Sequence, residues 1–134
     1  MDDAGRILIV DDEETVLRTT AVLLSEEGYV CDRAHDASEA LNLLARYDYD
    51  LLVTDWMMPG NTELEFVRAV QLTGRGIPVV VVTGYPQLRE AIKAKDTILF
   101  AEVLKPFDFD DFLKVVHSGV EYGKSHKTQA PFVT

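Results

Sequence analysis

The segment RILIVDD, residues 6–12, combines a short apolar run with two acidic residues at its end. Four β-prone apolar residues in succession, without polar alternation, predict a strand that is buried on both faces, as in a parallel sheet. Leu17, Ala21 and Leu24 follow at helical spacing, and Gly28 is a suitable residue for ending that helix. The chain therefore opens with a strand–helix unit that carries carboxylates at the carboxyl end of its strand.

The same alternation of strand and helix recurs along the chain. The further strands are predicted at Tyr29–Ala34, Asp50–Thr54, Pro78–Val82 and Ile98–Leu104. The later helices are predicted to start at Asp36 and Thr62, each with a Glu three residues on, at Pro86 with an end near Lys95, and at Asp108. Five alternations predict a doubly wound α/β fold, in which five helices flank a five-stranded, flavodoxin-like parallel sheet with right-handed crossovers.

The apolar residues of the later helices predict which faces point inward. For the second helix we expect Ala37, Ala40, Leu41 and Leu44 on the inward face. For the third helix we expect Leu64, Phe66, Val67 and Val70, and for the last helix Phe112, Val115, Val116 and Val120. We expect one domain over residues 1–122, followed by a polar tail over residues 123–134.

Composition excludes several classes of function. The chain has 134 residues, and 13 basic against 23 acidic side chains give a net charge of −10, which repels nucleic-acid phosphates. The longest apolar run, Ile77–Val82, is too short to span a bilayer, and the acidic residues 2 and 3 do not resemble a signal peptide. The single cysteine, Cys31, cannot form an internal disulfide. We therefore expect a cytoplasmic protein that binds neither nucleic acid nor membrane directly.

Polar side chains stand where the predicted strands end. Asp11 and Asp12 follow the first strand, Asp55 the third, Thr83 the fourth and Lys105 the fifth. Carboxyl ends of parallel strands share one edge of the sheet, so these groups are expected to converge. Two carboxylates ~5 Å apart repel by about 3 kcal/mol at an effective dielectric constant of ~20, which a cation relieves. Oxygen ligands favour magnesium, calcium or manganese, and magnesium keeps positions open for phosphate.

The acidic run at residues 11–14 also has a simpler explanation, because acids are stabilised at the positive end of a helix. For that run alone the simpler explanation is preferred. The joint placement of carboxylates, hydroxyl and ammonium at four strand ends favours a metal-assisted phosphoryl site instead.

Four motifs carry a resemblance to a known family. The motifs are Ile9–Glu13, Asp55–Pro59, Val82–Gly84 and Leu104–Phe107. By these motifs the chain resembles the receiver domains of two-component response regulators over residues 6 to about 122.

The resemblance implies a phosphorylation site with a metal ion. It implies that Asp55 accepts a phosphoryl group from a phosphohistidine of a sensor histidine kinase or a phosphotransfer protein. It also implies that Asp11, Asp12, Asp55 and the backbone carbonyl of Met57 hold magnesium. On this reading the chain is a signalling domain and not an enzyme.

The resemblance also assigns the remaining strand-end groups. Lys105 is expected to pair with the carboxylate of Asp55 or with its phosphoryl group, and Thr83 is expected to hydrogen-bond the phosphoryl oxygens. Phosphorylation then biases a two-state surface on the fourth and fifth strands and their helices, which contacts an unidentified downstream partner.

Three positions depart from the family pattern. Glu102 stands where the family commonly has a rotating aromatic residue, and we expect it to stay exposed at the surface. Thr62-Glu63 replaces a usual Asp-Gly turn, so the chain must turn there by other means. The bulky run Thr97–Leu99 replaces a stretch of small residues before the fifth strand.

Two other functions remain possible on this architecture. A flavin- or nucleotide-binding α/β enzyme needs a glycine-rich or hydroxyl-rich loop after the first strand, whereas this chain places acidic residues there. A pseudo-receiver, which binds partners without being phosphorylated, is disfavoured by the complete set of acidic, hydroxyl and lysine positions. The sequence does not distinguish a stand-alone receiver from a part of a longer regulator or hybrid kinase.

Overall fold

The computed structural model describes residues 4–62, 64–95 and 97–126. The strands are β1 (Arg6–Val10), β2 (Val30–Ala34), β3 (Leu51–Asp55), β4 (Val79–Thr83) and β5 (Ala101–Leu104). The helices are α1 (Glu14–Ser25), α2 (Ala37–Arg46), α3 (Glu65–Leu72), α4 (Leu88–Ala94) and α5 (Phe109–His126). All strand pairs are parallel, in the order β2-β1-β3-β4-β5. The predicted doubly wound fold is confirmed.

The alternation of side chains along β1 shows why an unbroken apolar run forms this strand. Leu8 and Val10 contribute to the core beneath α2 and α3, whereas Ile7 and Ile9 contribute to the core beneath α1 and α5. All four are buried, because helices cover both faces of the sheet. The packing on both faces therefore fixes the end of the strand and, with it, the position of the next residue, Asp11.

The start of α3 differs from its prediction. Thr62 does not cap the helix, which begins at Glu65 after Leu64 adopts a left-handed backbone conformation with φ of 62°. The fully buried Asn61 takes the capping role from further back, since its Oδ1 accepts a hydrogen bond from the backbone N–H of Val67 at 3.3 Å. Glu63 lies outside the described residues, so the predicted departure at Thr62-Glu63 is described only in part.

Other predicted elements change in their bounds or in their inward faces. Leu41 is 39% exposed, because the buried stripe of α2 is centred on Ala40 and Leu44 and Leu41 lies at its side. Helix α4 begins at Leu88 after a turn, two residues later than Pro86. The predicted fifth strand was too long, since Ile98 is 81% exposed and β5 begins at Ala101.

Helix α5 continues to His126, so the predicted domain boundary at residue 122 falls inside it. Gly123 makes this packing possible, because a Cβ atom there would lie 1.8 Å from the carbonyl oxygen of Asp50. The rest of the predicted tail, residues 127–134, lies outside the described residues. Among the described residues, none of the helices has the length and apolar character needed to cross a membrane.

Candidate functional site

Three carboxylates meet at the carboxyl edge of the sheet. Asp11 and Asp12 follow β1, and Asp55 ends the neighbouring strand β3. Each offers a carboxylate oxygen, and these oxygens all lie within 4.8 Å of one another. Asp11 is buried, Asp55 is half-buried and Asp12 is exposed. The structure thus brings together the three acidic residues that the sequence placed at strand ends.

The backbone around Asp11 holds its side chain in place. Its N–H donates to the carbonyl oxygen of Ala34 at 3.2 Å, which ties the end of β1 to the end of β2. Its Oδ1 accepts from the N–H of Glu13 at 2.9 Å, just before α1 begins. One oxygen of Asp11 is therefore used at the start of α1, while Oδ2 faces Lys105.

Lys105 reaches the acidic cluster from the end of β5. Its Nζ lies 3.8 Å from Oδ2 of Asp11. Its backbone N–H donates to the carbonyl oxygen of Thr83 at 2.7 Å, which joins the ends of β5 and β4, and the peptide bond to Pro106 is cis. The ammonium group therefore lies at the same edge as the carboxylates, as the sequence predicted.

Thr83 is fully buried at the end of β4. Its Oγ1 accepts a hydrogen bond from the N–H of Tyr85 at 3.0 Å, so the hydroxyl is linked to the loop that leads to α4. The ring of Tyr85 lies edge-on to Trp56, the residue after Asp55, with ring centroids 6.4 Å apart. Through this hydrogen bond, a movement of the Thr83 hydroxyl would act directly on the loop before α4.

The acidic cluster has an unfavourable concentration of negative charge. Burial, followed by the charge of Asp11, raises the pKa of Asp55 to about 6, although Lys105 opposes the increase. Burial also raises the pKa of Asp11, against the effects of the Glu13 N–H and Lys105. A bound cation would relieve both effects. Carboxylate oxygens at this spacing fit a hard divalent cation, and magnesium in particular binds through one or two carboxylates while keeping other positions open.

Sequence reasoning missed Asn61 in the loop between β3 and α3. Besides capping α3, its side-chain Nδ2 donates to the carbonyl oxygen of Asp55 at 3.0 Å. Met57 lies in the same loop and is 41% exposed. The only available signal for Asn61 was its place after Pro59-Gly60. That position indicates a turn, but it does not indicate a buried side chain with hydrogen bonds to two parts of the loop.

The sequence predicts an exposed side chain for Glu102, whereas the structure covers most of it. Only 27% of the side chain is exposed, and Oε1 accepts from Nε of Arg89 at 2.9 Å. The pair joins β5 to the first turn of α4. An ion-pair partner from the same chain compensates for the partial burial of the carboxylate, which the sequence alone did not indicate.

Comparison with known proteins identifies response regulators and their relatives as similar to this chain. A family model for the response regulator receiver domain matches residues 7–117. Response regulator MprA of Mycobacterium ulcerans is 36% identical over 108 residues, which are 81% of this chain and 47% of that protein. The uncharacterized transcriptional regulatory protein YkoG of Bacillus subtilis is 30% identical over 118 residues, which are 88% of this chain and 52% of that protein. The chain spans about half the length of these curated relatives.

Solved structures are similar over nearly the whole chain. A response regulator receiver domain protein from Clostridium thermocellum has a TM-score of 0.80 at 25% identity, covering 90% of this chain and 98% of that one. The response regulator TrrA from Thermotoga maritima, in complex with Mg²⁺ and BeF, has a TM-score of 0.75 at 31% identity, covering 85% and 97%. The similarity thus extends to a protein whose structure contains magnesium.

Proposed function

The chain belongs to the response regulator receiver domain family, and we propose that it accepts a phosphoryl group on Asp55 from a phosphohistidine of a sensor histidine kinase or phosphotransfer protein. The observation that carries this proposal is the cluster of Asp11, Asp12 and Asp55, with carboxylate oxygens within 4.8 Å and the ammonium of Lys105 beside it. Receiver domains switch by phosphorylation, and this cluster has the groups that phosphorylation of a carboxylate needs.

In the proposed reaction, a carboxylate oxygen of Asp55 attacks the phosphorus atom. A new O–P bond forms while the N–P bond of the phosphohistidine breaks, and the imidazole nitrogen leaves with the electron pair of that bond. Asp55 must be ionised to attack, which the neighbouring Lys105 favours. The half-buried position of Asp55 at the open edge of the sheet leaves its carboxylate accessible from the strand ends.

We assign the metal ligands to Asp11, Asp12, Asp55 and the backbone carbonyl of Met57. Magnesium, when bound, neutralises negative charge on the phosphoryl oxygens. Burial, together with the neighbouring carboxylates, raises the pKa of Asp11 and of Asp55, and a cation held between these groups would offset that cost. Asp12 is the exposed member of the set and is reached directly from solvent.

Lys105 and Thr83 act on the phosphoryl group in this proposal. The Lys105 ammonium pairs with a phosphoryl oxygen, and the Thr83 hydroxyl donates to another. Its oxygen can still accept from the N–H of Tyr85, so a hydroxyl drawn toward the phosphoryl group would pull on the loop before α4. The position of that loop would then report the phosphorylation state to a downstream partner.

Phosphorylation with acetyl phosphate and magnesium tests the assignment of Asp55. We expect the intact wild-type protein to gain the mass of one phosphoryl group, lost again in mild alkali, and Asp55→Asn to gain none. Asp48→Asn is the matched control, since Asp48 is a carboxylate 74% exposed and bound to Arg75 away from the cluster, and it should be phosphorylated normally. Equal mass gain in Asp55→Asn and the wild type would disprove the assignment. No gain in any of the three proteins would favour a pseudo-receiver.

A further inference from the structure

The side-chain amide of Asn61 joins two parts of the chain from a fully buried position between β3 and α3. Its Nδ2 donates to the carbonyl oxygen of Asp55 at 3.0 Å, and its Oδ1 accepts from the N–H of Val67 at 3.3 Å. The reverse orientation of the amide would set donor against donor and acceptor against acceptor, so the two partners fix its orientation. The amide group therefore links the last residue of β3 to the first turn of α3.

The hydrogen bond from Asn61 to Asp55 closes a loop over residues 55–61. Within this loop, the N–H of Met58 donates to the carbonyl oxygen of Trp56 at 2.9 Å. The N–H of Asn61 donates to the carbonyl oxygen of Met58 at 3.0 Å. Trp56 and Met58 are also buried. The loop is therefore held both at its ends and between them.

The backbone carbonyl of Met57, which we assign as a metal ligand, lies within this closed loop. The carbonyl oxygens of Asp55, Trp56 and Met58 each accept a hydrogen bond. Among the residues that the structure describes, no donor pairs with the carbonyl oxygen of Met57. This oxygen is thus available to a cation, while the carbonyl groups around it are engaged.

We propose that Asn61 is a positioning residue for the metal site, an inference that rests on the function proposed for Asp55. By holding the far end of the loop against the Asp55 carbonyl, Asn61 determines where the Met57 carbonyl oxygen lies relative to the carboxylates. Magnesium demands near-ideal octahedral geometry, so a displaced ligand lowers the affinity. Removal of a group that orients metal ligands typically weakens metal binding by about 10- to 100-fold.

Thr54 distinguishes closure of the loop from simple hydrogen bonding to the Asp55 carbonyl. Its Oγ1 donates to the same carbonyl oxygen at 3.1 Å, and the residue is fully buried. Because Thr54 lies on β3 directly before Asp55, this bond does not reach the far end of the loop. Thr54→Val removes the donor and nearly keeps the shape of the side chain, which makes it the matched control.

Asn61→Asp distinguishes positioning of the loop from capping of α3. An ionised carboxylate retains an oxygen for the N–H of Val67, at a helix start where negative charge is favourable. It has no N–H group to donate to the Asp55 carbonyl. The added negative charge would by itself attract a cation, so weaker magnesium binding in this variant cannot be an effect of charge.

Magnesium titration of the full chain at neutral pH, followed by the backbone amide resonance of Asp12 in proton–nitrogen NMR spectra, tests the proposal. We expect the Kd for magnesium to rise by about 10- to 100-fold in Asn61→Asp and Asn61→Ala, and to stay unchanged in Thr54→Val. Because folded and unfolded molecules give separate resonances, the titration reports the affinity of folded molecules. A purely structural role of Asn61 would lower the folded fraction and leave this Kd unchanged.

Two results would overturn the proposal and leave the function of Asp55 intact. One is a Kd in Asn61→Asp equal to that of the wild type. The other is an equal rise of the Kd in Thr54→Val, which would assign the effect to the Asp55 carbonyl and not to closure of the loop. A wild type whose Asp12 resonance does not respond to magnesium would instead overturn the metal site of the proposed function, and this proposal with it.

Discussion

Ionisation of Asp55 affects the stability of the metal-free domain. Burial and the charge of Asp11 raise the pKa of Asp55 to about 6, from its ordinary value of 3.8. Because the folded-state pKa is the higher one, stabilisation by the protonated group is complete below about pH 4 and is lost as the pH rises through about 6. The ionised carboxylate therefore destabilises the fold at neutral pH.

Asp55→Asn should consequently make the metal-free protein more stable at pH 7.5. We expect the free energy of unfolding to rise by about 1–2 kcal/mol after allowance for solvent screening, and the gain to disappear below about pH 4. Urea denaturation in a chelating buffer at several pH values measures this. Asp48→Asn should show no comparable gain. A variant less stable than the wild type at pH 7.5 would contradict the role given to burial.

Among individual residues, the sequence predicted the charged members of the site better than the neutral ones. Asp11, Asp12 and Asp55 were predictable because each directly follows a strand and parallel strands end at one edge. Asn61 was not, because its function depends on the path of the loop that buries it against Asp55 and Val67. Local sequence cannot indicate which carbonyl oxygen or N–H group a turn residue meets after the chain has folded.

Among the elements, the loop between β3 and α3 depends on Asn61. Asn61→Ala would leave the Val67 N–H and the Asp55 carbonyl oxygen without these partners, so we expect a loss of about 2–4 kcal/mol in the free energy of unfolding. Thr62→Ala is the neighbouring control, since the backbone carbonyl of Thr62, which accepts from Trp56, is retained. Denaturant unfolding followed by Trp56 emission compares the two. Equal losses would argue against a special role for Asn61.

The ion pair between Arg89 and Glu102 couples α4 to β5. Because Arg89 is 80% exposed, we expect a double-mutant cycle with Arg89→Ala and Glu102→Gln to give a coupling energy of only about 0.2–1 kcal/mol, smaller in 1 M NaCl. Thermal unfolding of the four proteins measures it. A coupling energy of zero at low salt would show that the pair does not hold these elements together.

Strand and helix bounds show where sequence patterns are insufficient. The predicted fifth strand began at Ile98, yet the N–H of Phe100 already pairs with Val79, the first residue of β4. Residues 98 and 99 therefore have no neighbouring strand with which to pair, however apolar they are. Strand ends depend on the partner strand, whereas the central runs of β1, β3 and β4 were predictable from their own sequences.

For the whole molecule, strand order determines which ends become neighbours. The order β2-β1-β3-β4-β5 places β1 beside β3, so that Asp11 and Asp12 lie next to Asp55, and then places Thr83 and Lys105 successively further along the same edge. Alternation of strands and helices predicted the common edge. The distances within it, such as 3.8 Å between Lys105 and Asp11, depend on register and side-chain packing.

Net charge provides a final prediction for the whole molecule. With a net charge of −10, self-repulsion destabilises the compact state, so both NaCl and MgCl₂ should raise the unfolding midpoint. At matched ionic strength MgCl₂ should stabilise more, because an ion that binds only the folded state adds about 2.7 kcal/mol at a hundred times its Kd. Denaturant unfolding followed by emission of the single tryptophan, Trp56, measures both effects.

Asp12→Ala and Asp110→Ala separate specific binding from general screening. Each variant removes one negative charge, so both should retain the response to NaCl. Only Asp12→Ala should lose the additional stabilisation by magnesium, because Asp12 lies in the carboxylate cluster whereas Asp110 lies exposed in the first turn of α5. If Asp12→Ala kept the full additional stabilisation, the ion would have to bind elsewhere. If Asp110→Ala lost it equally, the effect of magnesium would be that of net charge alone.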